Sequence, residues 1–534
     1  MKYQGKSFYL LLLYWLLLLV ASLFLRPLFP VDETRYASVA WEMWLHGDYL
    51  VPHLNGAPYA HKPPLLFWLI NLGWWLFGVN DIWPRLIAPL FSLGSLYLTY
   101  QLARRLWPEQ PQIAYHAPWF VFATFLWLVF YTMLQFDMLL LFFTLLGILA
   151  IWNAHQQQSA GWWLLTLAIG LGALSKGPVI LLHVLPVALL APWWTTEKTI
   201  PWRRWYLYLM LSILGGTAIG LAWAIPAAIS GGEEYRNAIF WGQTANRVVH
   251  SFAHRQPWWW YLPMLPVLLL PWPLWARVWR ALPQLKGCHT EVPMRFLASW
   301  IVPVFILFSL VSAKQIKYLL PLLPAFALLI ACLVNRQQDE VQPGGSQLPQ
   351  RLLLVGGVIL ALLPYIAPTD KAWWIQEISP FWGMLLIALA AIILIGKKSL
   401  PGHDVEKIGT ATVLAMLVTH FALLSAATPS YDLRKFSQTI KNLQDQGHDI
   451  AYVGNYRGQF EYLGRLSKSV TQLSRLTVGN WIEAHPDGFL VIHDSKQRYS
   501  GSTVFVQPYR EKRDALKLLS ATDYLHTTRG NTPD

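Results

Sequence analysis

The sequence predicts a polytopic α-helical membrane protein with a small α/β unit at its C-terminal end. Three observations carry that reading. Only 13% of the 534 residues are charged, against about 25% in soluble domains, and mean hydropathy is +0.37. Apolar runs near the length of a bilayer crossing recur along the chain. The 30 Trp and 23 Tyr suit the two water–lipid interfaces.

The net charge of +13 raises the question of a nucleic-acid partner. The Lys and Arg are scattered over loops rather than clustered on a soluble unit, which excludes it. Positive cytoplasmic loops and anionic lipids account for the excess. The two cysteines, Cys288 and Cys332, lie far apart and form neither a disulfide framework nor a metal cluster.

The first apolar run, 8–25, follows Lys2 and Lys6. No small-residue cleavage site comes after it, so it reads as a retained span. The loop 26–83 then gathers charge: Asp32, Glu33, Arg35, His61 and Lys62. Asp32 is a natural N-cap, and Tyr36, Val39, Ala40, Met43 and Trp44 repeat at helical spacing, which predicts an interfacial helix over 32–46. The segment PPLLFWLINLGWWLFG (63–78) opens on prolines, ends in glycine and is short for a crossing. It predicts a second interfacial helix.

Twelve further spans follow, at 84–106, 116–135, 138–153, 161–175, 178–194, 206–229, 259–277, 296–312, 316–334, 351–367, 380–396 and 408–427, about 13 in all. With 63–78 in the interface, the basic groups Lys2/Lys6, Arg104/Arg105, Lys198/Arg203/Arg204, Arg280/Lys286, Arg336 and Lys397/Lys398/Lys407 share one face. The positive-inside rule makes that face cytoplasmic and puts the first loop outside. Residues 1–427 then form the membrane unit and 428–534 an external α/β unit. In that tail, helix-like DLRKFSQTIKNLQDQG, QFEYLGRL and REKRDALKLLSA alternate with strand-like DIAYVG, GFLVIH and TVFVQ.

Cations on the outer face are the informative ones, because ionisable groups at membrane depth are costly. Arg26, Arg85, Arg247 and Lys371 read as solvated loop charges or headgroup anchors. Lys62, Arg255, Lys314, Lys317 and Tyr318 sit in three loops at span mouths, beside Pro or aromatic residues. Arginine forks and lysine point charges are what a phosphate needs, and beside lipid they suit a lipid phosphate. Asp137 opens a span, where the helix dipole favours an acid; capping and function both remain open for it. His61 and His254 lack the spacing of a metal motif. The Trp-rich stretches at 258–260 and 271–275 read as interface belts.

The segments DETRYASVAWEM (32–43), HGDYLVPHLNGAPYAHKPPLLFW (46–68), LSKGP (174–178), HRQPWWWYLP (254–263) and SAKQIKYLLPLLPA (312–325), with Asp137 after an aromatic-rich run, resemble the bacterial lipid-linked sugar transferases of the GT-C fold. The chain is most similar to the group that moves aminoarabinose to lipid A, related to protein O-mannosyltransferases. The resemblance covers most of 1–335. It implies Asp32 as the essential acid and Asp137 as the second external acid. It also implies Lys62, Arg255 and Tyr318 as ligands of the carrier-lipid phosphate; Lys314 and Lys317 join them on the outer-face charge reading alone. Glu33, Arg35 and Lys176, within Ser175-Lys176-Gly177, take supporting roles. A divalent metal is the one cofactor left open, on His61 and His254; the family has a glutamate where His61 stands.

The implied partners are a polyprenyl phosphate-linked sugar donor, a lipid or glycan acceptor and the membrane. The lipid phosphate leaves once its charge is neutralised, and Asp32 takes a hydroxyl proton or orients the donor sugar. Direct attack inverts the anomeric centre. A protein O-mannosyltransferase-like enzyme is one competing reading. A lipid-linked sugar transporter, with broken helices and midplane charge, is another. The third is an assembly protein whose first loop tolerates substitution.

Overall fold

The computed structural model describes residues 2–196, 200–242, 255–337, 346–368, 372–395, 403–495, 499, 501–511 and 514–529. Among them are eight helices long and apolar enough to cross a membrane and four shorter apolar ones. The Asp137–His155 helix is the hub and is buried almost throughout. It packs against Ile82–Leu106, Ala160–Lys176, Val179–Leu189 and the 3-10 turn Ile316–Leu322. Peripheral helices such as Leu348–Ile366 and Phe381–Ile395 leave Leu354, Val355, Ile359 and Ile392 exposed, a pattern that suits lipid contact rather than water.

Polar contacts sort the helix ends into two faces. On one, the Arg85 guanidinium donates to the carbonyls of Ser22 and Leu23 at 2.6 and 2.9 Å, and Lys176 meets Asp137. On the other, Arg105 meets Asn153, Arg336 meets Glu291, and His116 meets Asn335.

The two segments expected at the interface are helices, Asp32–His46 and Leu65–Phe77. They are joined by a small antiparallel hairpin of β1 (His53–Leu54) and β2 (Ala57–Pro58). Asp32 is not the N-cap. Val31 precedes the helix, no side chain caps it, and Asp32 is its first residue.

Two expected spans are broken. Residues 116–135 divide into Pro111–Phe122 and Phe125–Phe130. The backbone freed at the break is satisfied from elsewhere: Phe125 N–H donates to the Leu270 carbonyl at 2.8 Å and Trp272 Nε1–H to that of Phe120 at 2.8 Å. Residues 259–277 become Trp258–Trp260, Tyr261–Leu268, Trp272–Leu274 and the start of Ala276–Ala281. Pro263, Pro266, Pro271 and Pro273 remove donors and clash with preceding turns.

The C-terminal sheet comprises β3 (Ile450–Val453), β4 (Thr471–Leu473), β5 (Phe489–Asp494), β6 (Phe505–Pro508) and β7 (Ala515–Ser520), in the order β4-β3-β5-β7-β6. β3 runs parallel to β4 and β5, whereas β7 is antiparallel to β5 and β6. β7 corrects the helix expected over REKRDALKLLSA. Its leucines divide between two cores: Leu516 and Leu518 meet Phe436 and Ile440, while Leu519 meets Trp481 and Ile482. Pairing on both edges overrides the helical propensity of Ala, Leu and Lys. The strand at β4 and the helix Val478–Ala484 were not legible in the sequence.

This sheet unit is fastened to the first loop. Tyr462 stacks on Trp74 at 5.3 Å, its N–H donates to Ser38 Oγ at 3.1 Å, and its hydroxyl donates to Asp81 Oδ1 at 2.9 Å. Arg465 pairs with Asp81 at 2.6 Å, and Trp41 Nε1–H donates to the Leu466 carbonyl at 2.9 Å. Gly458 has φ +68°, and a Cβ there would lie 2.3 Å from Leu54 Cδ1. Glycine suits both the left-handed backbone and the close approach, and a larger residue would have to displace the Leu54 side chain.

Candidate active site

The first-loop acids separate into two environments. Glu33 is buried and fully engaged. It pairs with Arg26, accepts from Phe29 N–H at 2.8 Å and accepts from Leu134 N–H at 2.6 Å. Arg26 also donates to the Thr132 carbonyl at 2.7 Å. Glu33 and Arg26 therefore bolt the first loop to the turn 132–136. Arg26 is neither a solvated charge nor a headgroup anchor, and the same correction holds for Arg85. Arg247 and Lys371 lie outside the described residues.

Asp32 is 45% exposed and pairs with Arg35 at 2.5 Å. It lines an open cavity of about 350 Å³ with Glu33, Met133, Gln135, Arg457 and Arg510. Both members of this successive pair border the cavity, but Glu33 is buried and spent in the packing while Asp32 is half exposed. Arg35 holds the Asp32 carboxylate in place without burying it.

A second cluster forms around Asp137. This carboxylate is 6% exposed and meets the Lys176 ammonium at 2.5 Å. Lys317 and Lys62 also act on it electrostatically. Lys176 lies 5.2 Å from the centre of the Tyr318 ring, and Lys62 lies 5.7 Å from that of Phe136. Asp137 is the first residue of its helix, where the dipole favours an acid, and it also gathers cations. Lys62, Lys176, Lys317 and Tyr318, drawn from three separate segments, therefore converge on one helix end, where three lysines outnumber one acid.

Gln135 joins the two clusters. It lines the Asp32 cavity and accepts from Lys317 Nζ at 3.5 Å. Sequence reasoning passed over Gln135. Its signal was the run TMLQF immediately before Asp137.

Arg255 and Lys314 play unlike parts. Residues 255–256 pair with 312–313, through an Arg255–Ala313 bridge and Gln256 N–H to the Ser312 carbonyl at 3.1 Å. Lys314 is buried and donates to the carbonyls of Gln256 at 3.1 Å and Val311 at 2.5 Å. Its ammonium is occupied in fastening that pair of segments, and Arg255 is left exposed beside them.

His61 is exposed, with its ring 5.3 Å from that of Tyr59. His254 lies outside the described residues. Among the described residues no three of His, Cys, Asp and Glu gather in a group that would hold a metal ion. The donors in view do not make a metal site, and no step below uses one.

Residues 61–225 match the family model described as dolichyl-phosphate-mannose-protein mannosyltransferase. The undecaprenyl phosphate-α-4-amino-4-deoxy-L-arabinose arabinosyl transferase of Pseudomonas paraeruginosa is 32% identical over 435 residues, covering 78% of this chain and 76% of that protein. The enzyme of the same name from Edwardsiella ictaluri is 33% identical over 371 residues, covering 67% of this chain and 64% of that one. The crystal structure of ArnT from Cupriavidus metallidurans bound to undecaprenyl phosphate superposes with a TM-score of 0.75 at 19% identity, over 96% of this chain and 98% of that one. Its apo form gives a TM-score of 0.76. The fold is therefore the GT-C fold, and the chain belongs to the undecaprenyl phosphate-aminoarabinose arabinosyl transferase family of multi-pass membrane glycosyltransferases.

Proposed function

We propose that the protein transfers an aminoarabinose-type pentose from undecaprenyl phosphate to lipid A at the periplasmic face of the bacterial inner membrane. The observation that carries this reading is the linkage of the Asp32 cavity to the Lys62–Lys176–Lys317–Tyr318 cluster through Gln135. The cluster suits a lipid phosphate, and the cavity suits the transfer itself. Basic residues at the opposite helix ends support the orientation by the positive-inside rule. Residues 1–427 then form the catalytic membrane unit, and 428–534 form a periplasmic unit docked on the first loop.

In the reaction, Lys62, Lys317 and Tyr318 neutralise the donor phosphate as it departs, with Arg255 at the edge. Lys176 is held by Asp137 and sets the position of Tyr318. An ionised acceptor phosphate needs no base, so Asp32 orients the donor sugar and steadies positive charge developing at its anomeric carbon. With an acceptor hydroxyl, Asp32 takes the proton. Direct attack by the acceptor, with the lipid phosphate leaving from the opposite side, inverts the anomeric carbon. Lys314 is reassigned from phosphate ligand to fastener of the Arg255 segment.

Mass analysis of lipid A from cells with and without the gene tests the reading. It expects one added aminopentose per modified phosphate, present only with the gene and absent in Asp32→Asn. Unchanged lipid A, with the change appearing on another envelope glycan or on protein, would move the acceptor assignment.

A further inference from the structure

The cavity beside Asp32 carries two cations that the donor cluster does not use. Arg457 follows β3, and Arg510 follows β6; both belong to the C-terminal unit, and both line the cavity. The acids in that lining are already neutralised, Glu33 by Arg26 and Asp32 by Arg35. Among the described residues, neither Arg457 nor Arg510 enters a salt bridge, and both residues are exposed. Both act electrostatically on the buried Tyr509, and the Arg510 guanidinium lies 5.9 Å from the centre of its ring. The backbone holds them there. Arg457 N–H donates to Gln459 Oε1 at 2.9 Å, and Arg510 adopts φ +63° with its N–H on the Ser430 carbonyl at 3.4 Å. The lining therefore holds two paired acids and two arginines that have no carboxylate partner among the described residues.

We propose that Arg457 and Arg510 form the anion clamp for the acceptor, gripping a phosphate monoester on the headgroup of an acylated glycan. Guanidinium forks match phosphate oxygens two at a time. The cavity opens beside Asp32, so a phosphate on this wall sits across from the acid that orients the transfer. The donor phosphate has its own cations around Asp137, on the other side of Gln135. The C-terminal unit thus contributes residues to the site rather than only covering it. This rests on the functional reading above.

The test uses the full-length protein in lipid nanodiscs, with diphosphorylated, monophosphorylated and dephosphorylated lipid A as probes, and undecaprenyl phosphate as the donor-side probe. Wild type, the double variant R457A/R510A and the charge-keeping R457K/R510K are compared for binding and then for transfer. The wild type is expected to bind diphosphorylated lipid A about tenfold or more tightly than the dephosphorylated form. R457A/R510A loses that preference, R457K/R510K restores part of it, and undecaprenyl phosphate binding stays within twofold throughout. High salt weakens the preference in the wild type and what remains of it in R457K/R510K, and changes nothing in R457A/R510A. Equal binding of phosphorylated and dephosphorylated lipid A by the wild type overturns the proposal, as does a preference that survives in R457A/R510A. Loss of undecaprenyl phosphate binding in R457A/R510A assigns the pair to the donor and also overturns it. Phosphate-dependent binding without sugar transfer by the wild type would leave the clamp standing and bring down the functional reading instead.

Discussion

Asp32 and Asp137 both open helices on the same face of the molecule, yet they live in opposite surroundings. Asp32 is 45% exposed on a cavity and has one partner, Arg35. Asp137 is 6% exposed and is committed to Lys176, with two more lysines close enough to act on it. A carboxylate that must orient or deprotonate a substrate has to reach it. A carboxylate that holds cations together gains by being buried among them, because low dielectric strengthens each interaction. The contrast divides the site into an open acid and a fixed cation cluster.

The largest effect should come from Asp32→Asn, with transfer falling about 10²–10⁴-fold while thermal unfolding in detergent is unchanged. Wild-type-like transfer in that variant would remove the open acid from the chemistry. Next comes Lys176→Met, which takes from buried Asp137 its ion-pair partner and leaves it only the more distant Lys62 and Lys317. A loss of roughly 3–5 kcal/mol is expected for breaking such a pair from one side. The double variant Lys176→Met/Asp137→Asn should recover much of that stability without recovering transfer. Equal stability of the single and double variants would show that the pair is not coupled.

Lys317→Met tests the cluster more gently. The donor KM should rise about tenfold with little change in stability, because this lysine's contact with Gln135 is long at 3.5 Å. A fall in kcat with unchanged donor KM would place Lys317 elsewhere in the cycle.

The smallest effect concerns the dock between the first loop and the C-terminal unit. Burial pushes the Glu461 carboxyl up to about 7, with Tyr456 and Glu42 beside it. A carboxyl raised on folding favours the folded state while protonated. That advantage is full below its ordinary value of 4.5 and is lost as pH rises through about 7. Stability should therefore decline across this window, and Glu461→Gln should flatten the profile, by on the order of 1–3 kcal/mol at alkaline pH. An unaltered pH profile in Glu461→Gln would show that Glu461 does not titrate on unfolding.

Much of the first loop was legible in the sequence because its signals are local. Helical spacing from Tyr36 to Trp44 and the proline-to-glycine run 63–78 gave both helices, Asp32–His46 and Leu65–Phe77. The fates of Glu33 and Arg26 were not legible, because their partners stand at 132–134, about a hundred residues away. Lys314 looked like Lys317 until the 255–256 pairing took up its donors. β7 was hidden because ALKLLS satisfies both periods, and only its neighbours β5 and β6 decide between them. Arg457 and Arg510 were invisible for the same reason: nothing near them in sequence reports that they face Asp32.

The division of labour between the open acid and the cation cluster is tested most directly by measuring undecaprenyl phosphate affinity in Asp32→Asn and Lys62→Met side by side. Asp32→Asn should bind the lipid phosphate as the wild type does, while Lys62→Met should bind it about tenfold or more weakly. Retained affinity in Lys62→Met together with lost affinity in Asp32→Asn would contradict the account.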